Sequence, residues 1–167
     1  MLPRQMSHVP FEQLPDDARV WVFASDRPVT GDHARHLLAA VDDYLARWSA
    51  HGQPLTAARD WSNDRFLAVA VDQRDAHASG CSIDGLFRSL QQLGGHIGAN
   101  LVGGGRVHFR DAAGAIHTVA RHEFSEQAAR GDVTGQTVVF DPTVATAADW
   151  RARFERPAHE SWHAGLL

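Results

Sequence analysis

The hydrophobic and polar positions of the chain fall into a series of short periods that predict a mixed helix and strand fold. Arg19-Val-Trp-Val-Phe-Ala24 is a β-rich run closed by Ser25-Asp-Arg-Pro28. From Asp32 to about Ala50, Leu37, Leu38, Val41, Tyr44, Leu45 and Trp48 recur with a 3.6 period. Thr30 stands as N-cap and Gly52 just beyond the end, which predicts a first helix. Leu55 to Trp61 and Arg65 to Asp72 are strand-like runs separated by Ser-Asn-Asp, the chemistry of a hairpin. A second helix is expected over about Ile83 to Leu93, capped by Ser82, with Leu86, Phe87 and Leu90 facing inward. A glycine-rich loop from Gly94 to Gly105 leads into Arg106-Val-His-Phe-Arg110, a turn at Asp111-Ala-Ala-Gly114 and a further strand to Val119.

The order β-α-β-β-α-β is that of a ferredoxin-like split βαβ core, here an α+β antiparallel sheet with an additional hairpin strand and a C-terminal α/β extension. The expectation is that the first and third strands are central and parallel, with the second and fourth outside them. Val20 to Ala24 and Phe66 to Val71 are apolar on both faces, whereas Thr56-Ala-Ala-Arg-Asp60 and Arg106-Val-His-Phe-Arg110 mix in polar residues. Both faces of the sheet must therefore be covered, by the C-terminal segment or by a second copy in a homodimer. That segment carries a predicted helix near His122 to Arg130, a strand Thr137 to Phe140 stopped by Asp141-Pro142, and a helix opened by the capping box Thr146-Ala-Ala-Asp149. A final turn from Pro157 bears Trp162 and Leu166. The chain reads as one domain, 1–167, comprising an extended leader over 1–17, a core over 18–110 and the extension over 111–167.

Composition narrows the chemistry. All 16 basic side chains are Arg and there is no Lys, which removes Walker A phosphate loops, Schiff-base and pyridoxal enzymes, and the protein-kinase pattern. The net charge of −4 over 20 acids, with the Arg scattered among them, argues against nonspecific nucleic-acid binding. A single cysteine, Cys81, makes no intrachain disulfide. The opening residues carry no apolar secretory core, and the longest apolar run, Phe66 to Val71, is too short to cross a membrane. The expected location is cytoplasmic.

Two segments carry candidate chemistry. The first is Ser79-Gly-Cys-Ser-Ile-Asp84, where a strand hands over to a helix. With parallel central strands it would lie beside Ser25-Asp-Arg-Pro-Val-Thr30, so that two helix N-termini face one anion. The candidate ligand-binding residues are Arg27, Ser79, Cys81, Ser82 and Asp84, with Arg74 and His77 nearby. Against this, Ser82 is an ordinary cap, Asp84 complements the helix dipole, and Cys81 can pack as a staple. A thiol at a helix N-terminus also admits nucleophilic chemistry, with His77 as base. The second segment is His159-Glu-Ser-Trp-His163. On a helix its two His fall one turn apart and could ligate zinc while Glu160 activates water. Only four residues follow, so a third ligand would have to come from upstream. Gly94-Gly-His-Ile-Gly98 and Gly103-Gly-Gly105 follow a helix and precede a strand, the reverse of the dinucleotide-binding order, and read as a flexible loop.

Arg19-Val-Trp-Val-Phe23 with Asp26-Arg-Pro28, His51-Gly-Gln-Pro-Leu55, Ala78-Ser-Gly-Cys-Ser-Ile-Asp84 and the closing Glu160-Ser-Trp-His163 carry a resemblance over nearly the whole chain. On these motifs the chain resembles an uncharacterised bacterial family of similar length, to which an ABC-transporter ATPase activity is sometimes attributed. The resemblance implies no activity, and the chain has no Gly-x-x-x-x-Gly-Lys for such an ATPase. It directs attention to the Cys81 loop and to the Trp162-His163 end. The sequence thus points to a non-catalytic cytosolic binding or interaction module with no required cofactor. A zinc hydrolase built on His159, Glu160 and His163 and thiol chemistry at Cys81 stand as the enzymatic alternatives.

Overall fold

The computed structural model describes residues 8–74, 76–101 and 104–167. Residues 1–7 of the expected leader and two residues of the glycine-rich loop lie outside them. The remainder of the leader is anchored: Phe11 and Leu14 are buried and the Val9 amide donates to Ala57 O at 2.9 Å.

Strand β1 (Arg19–Ala24) leads into helix α1 (Gly31–Ala46), which buries Leu37, Val41 and Leu45 and starts after Thr30. The helix ends a turn earlier than its apolar period suggests. His51 and Gly52 adopt left-handed conformations in a small hairpin of β2 (Ser49–Ala50) and β3 (Gln53–Pro54). Next comes the hairpin of β4 (Thr56–Ser62) and β5 (Phe66–Asp72), whose turn places Asn63 and Asp64 at φ 56°, a conformation Asn and Asp tolerate better than most residues.

Helix α2 (Gly80–Ile97) is longer than expected at both ends. Its cap is Ser79 rather than Ser82, with the Ser79 Oγ accepting from the Ser82 amide at 3.2 Å. At the other end Gly94 and Gly95 remain helical, and the stop is Gly98, left-handed at φ 70°. An added Cβ at Gly94 would stand 2.4 Å from Ala99 O, so here glycine permits a close approach of the returning backbone. The rest is β6 (Arg106–Arg110), β7 (Ile116–Ala120), α3 (Arg121–Ala129), β8 (Val138–Phe140), α4 (Ala147–Arg153) and β9 (Glu155–Pro157), closed by 3₁₀ turns at Ala158–Glu160 and Trp162–Leu166.

The fold is α+β with antiparallel sheets, and it departs from the expected core in two ways. Strand β1 pairs with β5 antiparallel, Arg19 opposite Val71 and Ala24 opposite Phe66, not parallel. In addition, β6 does not pair with the free edge of β1. It joins a second, four-stranded sheet ordered β7-β6-β8-β9, leaving the first sheet with three strands, β1-β5-β4.

Alternation along β1, β4 and β5 sends Phe23, Ala57, Leu67, Val69 and Val71 into a core with α1 and α2, and Val20, Ala24, Ala58, Phe66, Ala68 and Ala70 to the opposite face. That opposite face is covered by Phe11 and Leu14, by Phe140 of β8, and by Ala147, Trp150 and Phe154. The alanines make room for the aromatic group Phe66, Phe140, Phe154 and Trp150, whose centroids stand 4.2 to 5.6 Å apart. The second sheet turns Val107, Phe109 and Val139 outward against α3, Val133, Trp162 and Leu166. Two sheets thus lie between helical layers, and the cover demanded by the two-sided apolar strands comes from this chain's own ends.

Candidate functional site

Because β1 and β5 run antiparallel, the loops that follow them leave opposite ends of the sheet. Arg27 lies by the C-terminal end of α2, in a surface hollow with Gln91, Gly94 and Gly98, whereas Ser79, Cys81, Ser82 and Asp84 lie at its N-terminal end. The two helix N-termini therefore do not share a patch. Ser79 and Ser82 hydrogen-bond each other within the cap, and the Ser82 carbonyl accepts from Trp48 Nε1 at 3.1 Å. Cys81 is exposed in the first turn of α2, and its thiol makes no hydrogen bond to His77 or to any other of the described residues.

The segment His159-Glu-Ser-Trp-His163 is not one helix. Two 3₁₀ turns meet at an extended Ser161, so the one-turn spacing that would align both His on a metal is absent. His159 is exposed and its Nδ1 contacts Gly135 O at 2.7 Å, while His163 is wholly buried with its Nδ1 against Ser161 Oγ at 2.7 Å. Among the described residues no group of three or more His, Cys, Asp or Glu stands close enough to hold a metal ion.

What the structure assembles instead is a cleft where the fourth strand of a ferredoxin-like sheet would have been. Since β6 pairs away from β1, a cavity of about 280 Å³ opens beside the edge of β1. It is lined by Val22, Phe23, Ala24, Phe87, Leu101, Gly104, Gly105, Arg106, His108, Pro142 and Thr143. Its volume is just below the range usual for small-molecule sites, which suits only a small ligand. The Val20 amide donates to Ala145 O, away from β5, and period-two alternation turns the Val22 and Ala24 amides to the same open edge. Phe87 meets Phe23 edge-on at 5.1 Å and stays 38% exposed, one of two large apolar side chains left so among the described residues.

His108 is 3% exposed, standing edge-on to Phe66 with its Nδ1 2.9 Å from Thr118 Oγ1. Burial, reinforced by the nearby Arg65 and by His163 and Arg106, pushes its pKa down to about 4, so the ring is neutral near pH 7. Behind Thr143 lies Asp141, a buried carboxylate that accepts from the Thr143 hydroxyl and amide, from Trp162 Nε1 at 3.0 Å and from Arg156 at 2.9 Å. Burial alone would raise its pKa, but these donors hold it below the ordinary carboxylate value. His163 is likewise pushed down to about 4 by burial, against the attraction of Asp141. Its Nε2 and Arg156 Nε are the two buried side-chain polar atoms without a partner among the described residues.

The groove of about 350 Å³ between α1 and α2 has an apolar floor, and its His36, Arg47 and His96 are exposed. Reading the sequence alone did not single out Arg106, His108 or Asp141. The available signal was a histidine at the centre of the alternating strand Arg-Val-His-Phe-Arg, directly after the glycine loop. No protein-family model, no curated protein and no solved structure matches this chain.

Proposed function

We propose that the protein is a binding domain that takes a small ligand in the cavity between β1 and β6. The observation that carries this reading is that the cavity joins an exposed aromatic wall at Phe87 to a buried polar floor at His108, whose Nδ1 is taken up by Thr118 Oγ1. A small number of polar groups set in an apolar concavity is the usual make-up of a ligand site. The exposed free thiol of Cys81 supports a reducing, cytosolic setting.

The test is a fragment screen read by amide chemical shifts on the whole chain. Hits should shift Val22, Phe87, Gly105 and His108 together. Hits that instead cluster on His36, Tyr44 and His96 would move the site to the α1–α2 groove and sink this reading.

A further inference from the structure

Resting on that reading of the cavity, we infer that its ligand is a small monocarboxylate with an apolar body, held by Arg106 and His108. The two residues sit two apart on β6 and so project from the same face of the strand. Arg106 is the one arginine lining the cavity, no carboxylate lines it, and Arg106 has no ion-pair partner among the described residues. Its neighbours are already engaged, Arg110 with Glu155 and Arg156 with Asp141.

The proton on His108 follows from its surroundings. Arg65 donates to Ile116 O at 3.2 Å and stands 3.5 Å from Thr118 Oγ1, so that oxygen faces a cation and its own O–H is free to donate to His108 Nδ1. Nδ1 is then the acceptor and Nε2 carries the hydrogen, turning a neutral donor toward the ligand. The Val22 and Ala24 amides add donors along the same edge. A site made of donors, with one full positive charge, matches an anion bearing a single charge. A phosphate dianion would need a second cation to offset its desolvation. The exposed Phe87 ring, with Val22 and Leu101, supplies the apolar wall for the rest of the ligand.

The experiment titrates the whole chain with benzoate and hexanoate, with benzamide and hexanamide as neutral counterparts, and with inorganic phosphate. It reads amide shifts together with the imidazole nitrogens of His108. The carboxylates should perturb Phe87 and His108 and bind about tenfold tighter than their amides, the size of one charge-assisted hydrogen bond. Arg106→Met should bring the carboxylates down to the affinity of the amides, and Arg106→Lys should keep part of the difference. The nitrogen shifts should report hydrogen on Nε2. Equal binding of acids and amides at the cavity overturns the carboxylate inference and leaves the cavity reading standing. Phosphate binding as tightly as benzoate overturns it in favour of a phosphorylated ligand. Perturbation of other surfaces only, by every probe, overturns both.

Discussion

Two buried histidines couple the stability of this protein to pH between 6.5 and 4. Well above pH 6.5, the ordinary histidine value, His108 and His163 are neutral in both the folded and the unfolded chain, and neither makes stability depend on pH. As the pH falls from 6.5 toward 4, the unfolded chain binds protons that the folded one excludes, because both folded values lie near 4. Stability is therefore lost across that window, by up to roughly 3 kcal/mol for each ring. Thermal melts at pH 7 and pH 4.5 should show this fall, and His163→Phe should remove about half of its slope; an unchanged slope would mean that His163 protonates without unfolding. Asp141 is a different case, since it holds Arg156, Trp162 and Thr143 at once. Asp141→Ala leaves the 15%-exposed Arg156 side chain with an unpaired charge, and a loss of about 3 to 5 kcal/mol is expected in urea unfolding.

At the scale of single elements, α2 shows how a glycine pair can hide the end of a helix. Gly94 and Gly95 resemble a breaker in the sequence, yet both are helical and only Gly98 takes the left-handed turn. They are also unequal. Gly94→Ala would push a methyl group to 2.4 Å from Ala99 O and should destabilise by about 1 to 3 kcal/mol. Gly95→Ala meets nothing within 4 Å and should stabilise by roughly 0.5 to 1 kcal/mol, because alanine loses less backbone freedom in a helix. Denaturant midpoints of the two variants should move in opposite directions; movement in the same direction would contradict this account of the helix end. The predictions that succeeded at this scale were carried by local chemistry. Ser62-Asn-Asp64 turns β4 into β5, and Thr146 caps α4 by accepting from the Asp149 amide at 3.1 Å. Both Ser79 and Ser82 suit the α2 cap, and the local pattern does not choose between them. The choice went to the serine whose hydroxyl reaches an amide three residues on.

On the scale of the whole molecule, the two sheets are tied by side chains that cross between them. Arg65 reaches Ile116 O and Arg110 reaches Asn63 Oδ1 at 2.8 Å, while Trp150 Nε1 ties α4 to the first sheet by donating to Asp60 at 2.9 Å. The outer face of the second sheet depends on the last ten residues for Ala158, Trp162 and Leu166. A chain ending after Pro157 should expose Val107, Phe109 and Phe124, lower the urea midpoint and bind a hydrophobic dye. Full retention of the midpoint would show that the C-terminal turns are not part of that core.

The sequence by itself determined the identity and approximate extent of most elements, since helical and strand periods, caps and turn residues act over a few neighbouring positions. It also determined that the strands of the first sheet are buried on both sides, because Val20 to Ala24 and Phe66 to Val71 offer no polar face. Tertiary structure alone decided which strands pair and in which sense. A β-strand presents similar hydrogen-bonding groups at either edge, so nothing local to Arg106–Arg110 directs it to β8 rather than to β1. The antiparallel sense of β1 and β5 separated Arg27 from Cys81, and the pairing of β6 with β8 opened the cleft at Arg106 and His108. The surroundings that set its charge, Arg65, Phe66 and Thr118, come from segments distant in sequence.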